Sequence, residues 1–107
     1  MNSLNHEAIY VDMVKDIVLS RVDRSKVTVF LFGSRARGDH APRADVDVGF
    51  LADKRLPPRV MHGIRNALED SIVPLHVDLV DFSEKEPQLR ESAFRDKTIW
   101  NSPTSLN

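Results

Sequence analysis

Val27-Thr28-Val29-Phe30-Leu31-Phe32-Gly33-Ser34-Arg35-Ala36-Arg37-Gly38, followed after a short polar stretch by Ala44-Asp45-Val46-Asp47-Val48-Gly49-Phe50-Leu51, decides how this chain reads. The run from Val27 to Phe32 is apolar on both faces and stops at Gly33, the pattern of a central strand covered on both sides. From Ala44 to Leu51 the pattern alternates instead. Val46, Val48 and Phe50 point one way, and Asp45 and Asp47 the other. Between the two strands, Gly33 to Gly38 has room for one very short helix.

Upstream, Leu4, Ala8, Val11, Val14, Val18 and Val22 recur at spacings of four and three, with Ile17 widening the stripe, which predicts a helix over the first 22 residues. Downstream, Pro57-Pro58 opens a second long helix, at a position where a missing N–H costs little. Val60, Ile64, Leu68 and Ile72 continue it at i+4 steps until Pro74. Leu75 to Val80 reads as a third strand, with Leu75, Val77 and Leu79 on one face and His76 and Asp78 on the other. Ser83-Glu84-Lys85-Glu86 fits a capping box ahead of a last helix bearing Leu89, Ala93 and Phe94; Ile99 and Trp100 follow as core or interface anchors. The order α-β-α-β-α-β-α gives an α/β (α+β) fold, a small mixed β-sheet flanked by helices. One domain is expected over residues 1–100, with 101–107, polar and aperiodic, as a disordered tail.

The composition excludes several classes of function. A chain of 107 residues has room for one compact domain. Without cysteine, neither disulfides nor thiolate metal sites are available. Fifteen Lys+Arg against 16 Asp+Glu give a net charge of −1, so no direct nucleic-acid binding is expected. Arg outnumbers Lys ten to five, a bias toward planar contacts with phosphate or carboxylate. The longest strongly apolar stretch, Val29 to Phe32, is far short of the roughly 20 residues a membrane span needs. Met1 to Glu7 lacks the basic and apolar regions of a signal peptide. A cytoplasmic protein with no membrane association is the expectation.

The chemistry concentrates at the two opening segments. Gly33-Ser34 lies where a buried strand meets a helical turn, so unpaired N–H groups, a glycine and a hydroxyl could meet a phosphate. Asp45 and Asp47, at i and i+2 on a strand, project from one face about 6–7 Å apart, a spacing suited to hard divalent cations such as Mg²⁺. Asp78, brought to the same sheet face, would complete a three-carboxylate site of the kind that handles phosphoryl groups with two metals. A Gly-Ser turn or a D-x-D strand alone is ordinary. Their conjunction ten residues apart is not, and it favours a functional reading. His76 falls beside this site, whereas parity puts Asp81 on the opposite face from Asp78.

Gly33-Ser34, ten intervening residues and Asp45-Val46-Asp47 match the GS-x(10)-DxD signature of the polymerase-beta-like nucleotidyltransferase superfamily, and Gly33 to Gly38 resembles its minimal nucleotidyltransferase branch. The resemblance covers roughly residues 4–99. It implies the polymerase-beta-like nucleotidyltransferase fold, with Asp45, Asp47 and Asp78 as catalytic and metal-binding carboxylates. Gly33, Ser34, Arg35 and Arg37 would contact or neutralise the triphosphate, two Mg²⁺ ions would be the cofactors, and ATP the donor. The residue before the first Asp is commonly Ser in this family and is Ala44 here, which removes a possible hydrogen bond near the metals.

About 100 ordered residues leave no separate acceptor domain, so the acceptor is expected to be small or supplied by another protein. Minimal nucleotidyltransferases resembling this one pair with a helical HEPN protein as a toxin–antitoxin system. The resemblance therefore implies an antitoxin that transfers AMP from ATP to a hydroxyl of a HEPN toxin. Two alternatives stay open: a non-catalytic nucleotide-binding regulatory subunit, and a small-molecule nucleotidyltransferase completed by dimerisation.

Overall fold

The computed structural model describes residues 3–103, with side-chain burial from Glu7 onward. Its elements are α1 (Ser3–Leu19), β1 (Thr28–Phe32), α2 (Gly33–Arg37), β2 (Val46–Leu51), α3 (Pro58–Glu69), β3 (Val77–Asp81), α4 (Pro87–Phe94) and β4 (Thr98–Asn101). The strands form one four-stranded mixed sheet in the order β3-β2-β1-β4. β1 pairs antiparallel with β2 and with β4, and β2 runs parallel to β3 across the α3 crossover. The expected small mixed sheet flanked by helices is the architecture found.

Strand parity sorts the side chains into two unlike faces. Val29 and Leu31 of β1, Val46, Val48 and Phe50 of β2 and Val77 of β3 join Val14 and Val18 of α1 and Ile64 of α3 in the main core. Burying each such side chain contributes about 1.5–3 kcal/mol, which is how α1 and α3 are held on this face. The opposite face carries an aromatic cluster. Phe30 packs edge-on against Phe94 of α4, with ring centroids 5.0 Å apart, and Phe32 against Phe82 at 5.3 Å. Gly49, paired with Phe30 across the strands, makes room for that ring, since a Cβ there would collide with it.

Several boundaries differ from the pattern reading, each for a local reason. α1 stops at Leu19 rather than 22, where the Ser20 hydroxyl donates to the Ile17 carbonyl at 2.7 Å. The side chain of Leu4, which opens the expected stripe, lies outside the described residues. α3 stops at Glu69, so Ile72 is not on its apolar stripe but 74% exposed. Ser71 turns the chain there, donating to the Leu68 carbonyl and accepting from the Val73 N–H. The capping box at Ser83 is not formed. α4 begins at Pro87 with Glu86 at its N-cap position and no side-chain cap, so Ser83 lies too far upstream to serve it and its hydroxyl accepts the Ala52 N–H at 3.0 Å instead.

The tail expected from Asn101 is the largest difference. Thr98–Asn101 is an edge strand, with Trp100 packed partly buried against the core and Ile99 exposed. Asn101 fastens it: its amide nitrogen donates to the Arg24 and Val27 carbonyls at 3.0 and 2.8 Å, and its oxygen accepts from Arg24 Nε. Residues 104–107 of the expected tail lie outside the described residues.

Candidate active site

Three strand ends meet where the two opening segments come together. Phe32, the last residue of β1, pairs with Asp47 of β2, and Asp47 pairs with Asp78 of β3. One step earlier Val46 pairs with Val77, so Asp45 and His76 lie level on the same face. The sheet register thus collects Asp45, Asp47, His76 and Asp78 beside Gly33. Among them Asp45, His76 and Asp78 each offer a ligand atom within 4.8 Å of the others. His76 Nδ1 stands 3.5 Å from Asp45 Oδ2 and 3.9 Å from Asp78 Oδ1.

Asp47 is the inner member of the set. Desolvation, then the like charges of Asp78 and Asp45, hold its carboxyl above the usual range, with Arg37 and His76 acting weakly the other way. Negative charge here is undercompensated by the protein's own cations. The set whose ligand atoms converge is Asp45, Asp78 and the His76 nitrogen, two oxygen donors and one nitrogen that could hold a divalent cation, with Asp47 next to them in the sheet register but outside that group. Proximity to His76 was legible from strand parity, but its reach to both Asp45 and Asp78 was not.

The glycines at either end of α2 serve different needs. Gly38 closes the helix in the left-handed conformation at φ 84°, its N–H donating to the Ser34 carbonyl. Gly33 has φ 76° and lies against Asp47, where a Cβ would overlap the carboxylate. No side chain caps the N–H groups that start α2, so they are free to meet an anion beside Ser34.

The two arginines of the motif separate. Arg37 is about half exposed, paired with Asp39 at 3.2 Å, and lines a cleft of about 460 Å³ with Phe32, Gly33, Phe82, Lys85 and Leu89. Arg35, expected to neutralise the triphosphate, is instead turned inward. Its side chain is 5% exposed and is paired with Glu7 at 2.7 Å while donating twice to the Ala44 carbonyl. Its charge is therefore satisfied inside the fold. The sequence reading missed Glu7 and Lys85, since neither stands in the motif and only the tertiary fold brings them near. A larger cleft of about 1140 Å³ lies at the other end of β1 and β2, near Thr28 and Leu51, and none of these carboxylates line it.

The model of the family described as polymerase beta, nucleotidyltransferase matches residues 18–104, including all of these strand ends. The chain belongs to the polymerase beta nucleotidyltransferase family. This nucleotidyltransferase domain is similar to the probable protein adenylyltransferase MntA of Haemophilus influenzae, with 30% identity over 64 residues. The match takes in 60% of this chain and 56% of that relative, little more than half its length. Its fold resembles a crystallised toxin–antitoxin with AMP-PNP (TM-score 0.66, 20% identity, covering 84% of this chain and 71% of that one). It also resembles a chain of the tri-AMPylated Shewanella oneidensis HEPN toxin in complex with MNT antitoxin (TM-score 0.62, 18% identity, 88% and 71% covered). At these identities the likeness is one of fold, and it bears out the polymerase-beta-like architecture. Among the described residues no helix is long and apolar enough to cross a membrane.

Proposed function

We propose that this chain is a Mg²⁺-dependent nucleotidyltransferase that moves AMP from ATP to a hydroxyl of a partner protein, a HEPN-type helical toxin that it silences as antitoxin. The observation that carries the reading is the register Phe32–Asp47–Asp78, which aligns the phosphate-binding turn with the carboxylates on one sheet face. Similarity to the Haemophilus adenylyltransferase and to MNT antitoxins supports the donor and the partner.

In this reading Gly33 and Ser34 receive the triphosphate at the start of α2, and Arg37 faces it from the cleft. Two Mg²⁺ ions held by Asp45, Asp47 and Asp78 would neutralise phosphate charge and orient the α-phosphate for in-line attack. The acceptor oxygen bonds to the α-phosphorus as the bond to the bridging oxygen breaks, and pyrophosphate leaves. The hydroxyl proton passes to Asp78, with His76 beside it. Both residues lie at the sheet's edge on or next to β3, their side chains more than half exposed, where a macromolecular acceptor has access.

A transfer assay with α-labelled and γ-labelled ATP, Mg²⁺ and a co-expressed helical partner tests this. Label from the α-position alone, lost in an Asp45→Asn, Asp47→Asn double variant, is the expected result. Label from the γ-position would mean phosphorylation, and none from either would leave a non-catalytic nucleotide-binding subunit or a small-molecule acceptor.

A further inference from the structure

Asp45 is the one carboxylate of the three that lies outside a strand. β2 begins one residue after it, at Val46, and its own side chain is 53% exposed with no described hydrogen bond to hold it. The loop before it contains Arg43 at φ 64°, a left-handed conformation that costs a non-glycine residue roughly 1–2 kcal/mol. Such a backbone persists only where its surroundings over-determine it. Part of the support is local, since the Ala44 N–H donates to the Ala41 carbonyl at 3.1 Å and closes a turn with Pro42 and Arg43 at its centre; the rest comes from two side chains from distant parts of the chain.

Arg35 reaches from α2 to the peptide that leads into Asp45, donating Nε and Nη2 to the Ala44 carbonyl at 3.1 and 2.8 Å. The same Nη2 pairs with Glu7 Oε1 of α1 at 2.7 Å. Glu7 in turn accepts the Arg43 N–H with both carboxylate oxygens at 3.3 Å. One carboxylate and one guanidinium thus grip the strained residue and the carbonyl on either side of the bend. The Arg35 and Glu7 side chains are 5% and 12% exposed, so their ion pair is partly shielded from water.

We infer that Glu7 and Arg35 are positioning residues, a clamp from α1 and α2 that fixes the Ala44–Asp45 peptide and thereby aims the Asp45 carboxylate at the metal site. The inference rests on the proposed function for the metal itself. Neither residue touches substrate; each acts through Asp45. The guanidinium fork serves two acceptors at once, a geometry that lysine, a point charge, does not reproduce.

The test is Mn²⁺ binding, followed by water-proton relaxation in the presence of a non-hydrolysable ATP analogue, for wild type, Glu7→Gln and Arg35→Lys. Supporting residues of this kind typically govern about 10–100-fold in metal affinity. We expect variants with unchanged far-UV circular dichroism whose Mn²⁺ dissociation constant rises by at least tenfold. Their lost transfer activity should return as Mn²⁺ is raised, which damage to the fold would not allow. Folded variants with wild-type Mn²⁺ affinity overturn the clamp, as does lost activity that metal does not restore. Should Arg35→Lys not fold, Glu7→Gln decides the question alone. Wild type that binds no Mn²⁺ overturns both this inference and the proposed function, whereas wild type that binds Mn²⁺ as tightly as its variants overturns only this one.

Discussion

Gly33 and Asp47 share a space that admits only one of their side chains: a Cβ on Gly33 would overlap Asp47 Oδ2. The backbone at Gly33 is left-handed besides, at φ 76°. Gly33→Ala should therefore cost about 1–2 kcal/mol of stability from backbone strain. It should also push Asp47 away from the site and reduce transfer by at least tenfold. Urea unfolding beside the α-label assay separates the two effects, and an Ala variant with full activity would mean that Asp47 need not stand where it does.

Asp47 should show a conflict between stability and function. Its carboxyl is held above the usual range by desolvation and by Asp78 and Asp45, so its ionised form burdens the metal-free fold. Asp47→Asn is expected to raise the melting temperature of metal-free protein at neutral pH while abolishing transfer. The sign follows from linkage: between the ordinary carboxylate pKa of 3.8 and the raised value, the folded state binds more protons than the unfolded. Wild-type stability from this group falls as pH rises through that window. The advantage of the Asn variant should be full above it and vanish below it, which melting curves across acidic pH would read directly.

Glu7 gives the opposite sign. Its hydrogen bond with Arg35, ahead of other contributions, holds its carboxyl below the ordinary 4.5. Its stabilising effect is complete above that ordinary value and is lost as pH falls through the lowered one. Glu7→Gln should flatten this part of the acid-unfolding curve, since it keeps the shape of the side chain and removes the charge that faces Arg35. An unchanged acid limb would mean that the carboxylate does not hold Arg35.

Asn101 anchors β4 far from the carboxylates. Asn101→Ala leaves the Arg24 and Val27 carbonyls without that donor and should cost about 1–3 kcal/mol. Transfer per folded molecule should be unchanged well below the melting temperature. A fall in activity without a fall in stability would tie β4 to the site.

The legible parts of this fold were those where one residue's neighbours in sequence are also its neighbours in space. Val27 to Phe32 announces a doubly covered strand, and Asp45 to Phe50 alternates in the way the sheet faces later sort. Asp78 and His76 followed from parity on one strand. β4 was hidden because four residues without alternation gain their place from pairing with β1 and from the side chain of Asn101, 77 residues from Arg24. Arg35 and Arg37 look equivalent in the motif, and it takes Glu7, 28 residues away, with the Ala44 carbonyl to separate an inward-turned clamp from an exposed cation. Ser83 carried a valid capping pattern, but the helix starts only at Pro87, and the Ser83 hydroxyl meets the Ala52 N–H across the fold.

The most direct test of the account is where a metal–nucleotide complex binds. Anomalous diffraction from crystals of the protein with Mn²⁺ and a non-hydrolysable ATP analogue would locate both. Mn²⁺ should lie among Asp45, Asp47 and Asp78, with the phosphates at Gly33 and Ser34. Mn²⁺ absent from that cluster, or nucleotide seated in the larger cleft near Thr28 and Leu51, would contradict it.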